Sequence, residues 1–73
     1  MPPLPIISGR RCLHALLKAG FVQTRQRGSH MIIERLQPRT TISVPDHTEL
    51  DRGTLRAIIR QSGLTVQEFL DLI

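Results

Sequence analysis

The chain has no Trp, no Tyr and only two Phe among its 73 residues, so its core must be built from Leu, Ile and Val. It has one cysteine, Cys12, which rules out an internal disulfide and cannot make a zinc site by itself. Cys12 falls inside an apolar helical pattern, where a packed, inert thiol is expected. No apolar run approaches the roughly 20 residues of a membrane helix. The opening Met1-Pro2-Pro3-Leu4-Pro5-Ile6-Ile7 lacks the charged start and the length of a signal peptide. A cytoplasmic protein without membrane contact is expected. Internal repeats and low-complexity segments are also lacking.

Acidic residues are scarce where cations are dense. Residues 1–45 hold Arg10, Arg11, Lys18, Arg25, Arg27, Arg35 and Arg39 against Glu34 alone, a net +6. Residues 46–73 hold three Arg against five acids, a net −2. Nine of the ten cations are Arg, whose planar fork suits phosphate better than the point charge of Lys. A polyanion is the expected partner. Nucleic acid ranks ahead of a lipid surface, because no basic helix has an aromatic face for lipid.

What is there reads as one domain, since a chain this short closes a single core. Residues 1–7 read as an extended lead-in and 8–73 as the domain. Ser8 caps a first helix through about Ala19, stopped by Gly20. Cys12, Leu13, Leu16 and Leu17 form its apolar stripe; Arg11, His14 and Lys18 share another, cationic face. Residues 22–26 alternate as a half-buried strand, and Gly28-Ser29 suits a type II′ hairpin turn. His30 to Leu36 is the return strand, whose alternation is too poor to say which side faces the core. Residues 37–40 read as a second turn, with Pro38 at its corner, and 41–44 as a third strand ended by Pro45. A polar connection, 46–52, leads to a helix from about residue 53 or 54 to Ser62. That helix buries Leu55, Ile58 and Ile59 and exposes Arg52, Arg56 and Arg60 at i, i+4, i+8. Thr65 and Glu68 make a capping box for a last short helix, with Leu64 set to pack on Phe69. The order helix, three-stranded antiparallel sheet, helix, short helix is an α+β arrangement with the helices on one face of the sheet.

Five segments in this register carry a resemblance: Leu16-Leu17-Lys18-Ala19-Gly20-Phe21, Arg25-Gln26-Arg27-Gly28-Ser29-His30, Val44-Pro45-Asp46-His47, residues 49–56 and residues 63–70. Together they resemble the HicA-type toxins, also called YcfA-like proteins, from about residue 8 to the C-terminus. The resemblance implies a fold like a double-stranded-RNA-binding domain. It also implies a toxin that cleaves mRNA and is inhibited by a HicB-like antitoxin. The family's catalytic histidine, in its Gly-Ser-His turn, corresponds to His30. One departure is Ser8-Gly9-Arg10-Arg11, where relatives often carry an acidic residue.

The chemistry fits the residue. RNA carries its own nucleophile, the 2′-hydroxyl, and a histidine can take or give the proton near neutrality without a metal. A two-residue turn at Gly28-Ser29 sets Arg27 opposite His30, with Cβ atoms about 5 Å apart, so that the Arg fork can hold the phosphate. The expected RNA-binding residues are Arg11, Lys18, Arg25, Arg27, Gly28 and Ser29, and His47 is the candidate second acid or base. No cofactor is expected; His30, His47 and Asp46 lack the spacing of a zinc site. Two other readings use the same residues. One is a non-catalytic double-stranded-RNA-binding module, and the other is an interaction protein whose Arg faces meet an acidic partner.

Overall fold

The structure is a computed structural model and describes residues 3–73. Its elements run α1 (Gly9–Lys18), β1 (Val22–Arg27), β2 (His30–Leu36), β3 (Arg39–Pro45), α2 (Arg52–Ser62) and α3 (Val66–Leu70). The strands form one antiparallel sheet in the order β1-β2-β3. The α+β layout expected from the sequence is the one observed.

Local chemistry sets the helix ends. The Ser8 hydroxyl accepts from the Arg11 amide at 3.0 Å and starts α1. Thr65 and Glu68 form a complete capping box at α3, with bonds of 3.1 and 2.8 Å. Gly63, at φ +81°, ends α2 in the left-handed conformation that glycine adopts without a Cβ clash. The start of α2 differs from expectation. Asp51 is its cap, accepting from the Thr54 amide, so Arg52 belongs to the helix and the connection ends earlier. Hydrogen bonding from Thr54 also holds the Asp51 carboxyl below its ordinary value. The cap is thus strongest above the usual carboxylate range and weakens as acid protonates it.

The core lies between the sheet and the helices. Met31 and Ile33 of β2 and Ile42 and Val44 of β3 point into it, against Cys12, Leu13, Ala15 and Leu16 of α1 and Leu55, Ile58 and Ile59 of α2. Phe69, fully buried, brings α3 into the same cluster, and Leu64 packs against its edge. Two apolar assignments change. Leu17 was expected in the α1 stripe but is 37% exposed, and Ala15 takes the buried place. Leu4 and Ile7, in a segment without helix or strand, are 3% and 4% exposed and belong to the core. The Leu50 amide holds that segment in place by donating to the Ile7 carbonyl at 2.9 Å.

Cys12 is buried among these side chains, and burial pushes its thiol up to about 12. A thiol so held has almost no thiolate at neutral pH and serves as packing.

The strands are longer than the sequence suggests. β1 extends to Arg27 and β3 starts at Arg39, because Gln37 and Pro38 alone join Leu36 to Arg39, through a cis peptide bond. Every residue of β1 is exposed, so this edge strand overhangs the helical layer. A bulge between Gln23 and Arg25 interrupts its pairing with β2.

Candidate active site

The Gly28-Ser29 turn has the geometry its residues call for. Gly28 has φ +58° and, among the described residues, none other than glycine has positive φ, as a type II′ turn requires. Arg27 and His30 are therefore direct cross-strand partners. The register then carries outward along the strands: Arg25 pairs with Ile32, Ile32 with Ser43 and His30 with Pro45.

Paired residues share a face, and alternate residues along a strand do too. Met31 and Ile33 face the helices, so His30, Ile32 and Glu34 face the other way, onto the side of the sheet that no helix covers. The side that the sequence left open is settled by burial. Arg27, His30, Ile32 and Ser43 line one shallow depression on that open face. Val22, 64% exposed, and Leu36, 77% exposed, continue the face as an apolar margin around Glu34.

The turn is braced from behind. The Asp46 amide donates to the Ser29 carbonyl at 2.7 Å, and the Asp46 carboxylate accepts twice from Arg10, at 3.2 and 3.1 Å. The Gly9 amide donates to the His47 carbonyl at 2.9 Å, so the start of α1 presses on the chain just past β3. Contact there is close enough that a Cβ on Gly9 would overlap the Pro45 carbonyl oxygen. A helix start, a strand end and the turn bearing His30 thus form one braced unit.

The candidate residues divide between the two faces. Arg25, Arg27, Gly28, Ser29 and His30 lie on β1, β2 and their turn. Arg11, His14 and Lys18 lie exposed on α1, in the helical layer. Lys18 also donates to the Leu72 carbonyl at 3.0 Å, tying α1 to the C-terminus. His47 is exposed on the loop after β3 and does not line the depression with His30. The cations divide as well. Arg10 is paired with Asp46, and Arg35 lies over the Phe21 ring at 4.6 Å. Among the described residues, Arg25 and Arg27 have no protein partner for their guanidinium groups, so both are free to meet a phosphate.

Ile32, Ser43, Asp46 and Gly9 were not picked out as site residues from sequence. A two-residue second turn fixes the β2–β3 register and places Ser43 beside Ile32; reading 37–40 as the turn obscured it. Nothing local in the sequence marks Gly9.

Among the described residues, no three His, Cys, Asp or Glu side chains are grouped to hold a metal ion. No helix among them is long and apolar enough to cross a membrane.

The depression combines one imidazole, one free guanidinium, a hydroxyl and an apolar floor. Such a set suits a phosphate ester whose reaction needs proton transfer and charge stabilisation. The comparison with curated proteins gives no match. Residues 9–64 match the model of the family described as the HicA toxin of bacterial toxin–antitoxin systems, and the chain belongs to that family.

Proposed function

We propose that this chain is a toxin endoribonuclease that cleaves mRNA without a metal, with His30 as its catalytic residue. HicA toxins are generally ribonuclease-type toxins. The observation that carries the reading here is the direct pairing of His30 with Arg27 in a depression on the open sheet face.

In the proposed step, His30 takes the proton of a ribose 2′-hydroxyl and the freed oxygen attacks the adjacent phosphorus. Arg27 holds the non-bridging oxygens as charge gathers on them. The bond from phosphorus to the 5′-oxygen breaks, and that oxygen leaves with a proton. His30, having just gained one, is the acid on hand; His47 is the other candidate donor. Arg25 and the backbone at Gly28-Ser29 guide the neighbouring phosphates, and Arg11 and Lys18 add contacts where a longer RNA reaches α1.

A HicB-like antitoxin is the proposed partner. A domain seated on the open face would cover His30, bury Val22 and Leu36, and displace RNA in the same event. The toxin would then act in the cytoplasm only when released.

The test is incubation with RNA and with DNA of the same sequence, both in excess chelator. RNA should be cut and DNA, lacking the 2′-hydroxyl, should stay intact. Cleavage that stops with the chelator, or that extends to DNA, would overturn the mechanism.

A further inference from the structure

Glu34 is the one acid among residues 1–45, set against seven cations. It stands on the middle strand, on the open face of the sheet, paired with Val22 on one side and Thr41 on the other. Among the described residues it makes no ion pair; Arg10–Asp46 is the one such pair, and the neighbouring Arg35 lies over the Phe21 ring. Glu34 is half-buried rather than fully solvated. With Gly20, Val22, Thr24, Arg35 and Leu36 it lines a depression of about 390 Å³.

A carboxylate in that place works against RNA binding, because it repels the phosphates that Arg25 and Arg27 are free to hold. Only a nucleotide whose base donates to its two acceptor oxygens offsets the repulsion. The four bases differ sharply in this respect. Guanine has two adjacent donors on its pairing edge, N1–H and N2–H, which match the two oxygens of one carboxylate. Adenine and cytosine each present one amino group beside an acceptor nitrogen. Uracil presents one N–H between two carbonyl oxygens.

We propose that Glu34, walled by Val22 and Leu36, is a base-reading subsite for guanine on the RNA strand that His30 cuts. This rests on the ribonuclease reading of the open face. His30 and Glu34 are four residues apart on β2, so about 13 Å separates them. At about 3.4 Å per nucleotide in a stacked strand, the guanine lies within roughly four nucleotides of the cut. An unstacked base in a single strand exposes the pairing edge that the carboxylate reads, and its flat apolar surface lies against Val22 and Leu36. Selection comes from attraction to guanine and repulsion of uracil together.

The test uses the full chain carrying His30→Ala, so that RNA is bound without being cut, with and without Glu34→Ala. Fluorescence anisotropy measures binding of four RNA octamers, all uracil except for guanine, adenine, cytosine or uracil at the fourth position. The parent should bind the guanine octamer about ten- to a hundred-fold more tightly than the all-uracil one. Glu34→Ala should abolish that preference, while its affinity for the all-uracil octamer stays the same or rises, which also shows that it is folded. Equal binding of the guanine and uracil octamers by the parent would overturn the subsite and leave the ribonuclease reading standing. A guanine preference that survives Glu34→Ala would overturn it too, since the base is then read elsewhere. If the parent shows no preference and Glu34→Ala loses only the capture of a basic protein partner, the carboxylate belongs to that partner and the proposal fails. A parent that binds no octamer would overturn both readings.

Discussion

His30→Ala should leave a folded protein that still binds RNA and cuts it about a hundred- to ten-thousand-fold more slowly. The size of the loss follows from removing a positioned general acid or base. The preserved fold follows from place: His30 is exposed at the tip of a hairpin, outside the buried cluster, so its truncation should change stability by no more than about 0.5 kcal/mol. The preserved binding follows from charge, because Arg25 and Arg27 remain. Growth arrest on expression should be lost in step with the rate. Cleavage at the native rate would move the protein to the other reading, an RNA-binding module without chemistry. His47→Ala belongs beside it, and a comparable loss there would make His47 the second proton-transfer group.

Gly9→Ala should destabilise the protein by about 3 kcal/mol, although the residue is far from the turn in sequence. In most helices this exchange gains stability, because Ala has the higher propensity. Here the new methyl overlaps the Pro45 carbonyl oxygen and lies 3.0 Å from its carbon, and both are backbone atoms that cannot swing aside. A domain of this size has a total stability of roughly 4–11 kcal/mol, so the change removes a large share. Thermal unfolding should shift down by roughly 15 °C. Pro45 is also the strand partner of His30, so cleavage should fall even where the variant is folded. An unchanged or raised melting temperature would show that α1 and the loop after β3 are not in contact.

Much of the fold was legible because its punctuation is local. Ser8, Gly63, the Thr65–Glu68 box and the Gly28-Ser29 turn each act within three or four residues, and each is found where the sequence sets it. The Arg27–His30 pairing followed from that turn alone. What stayed hidden was set by distant parts of the chain. Met31, Ile32 and Ile33 are all apolar, so alternation could not choose a side; the helices choose it by covering Met31 and Ile33. Leu4 and Ile7 fall in the Pro-punctuated segment that reads as an extended lead-in ahead of the domain, yet a bond from Leu50 lays them on the core. Gly9 looks like an ordinary first-turn glycine until Pro45 is brought against it. The division of cations between two faces has the same origin, since only the packed fold shows Arg35 over Phe21 and Lys18 bound to Leu72.

The central claim is that His30 turns the RNA's own hydroxyl on its backbone, and the ends left by cleavage record that directly. One short RNA, cut by the native chain in chelator, is analysed by mass. A 2′,3′-cyclic phosphate on one fragment and a 5′-hydroxyl on the other is the predicted result. A 3′-hydroxyl with a 5′-phosphate, the mark of attack by water, would contradict it.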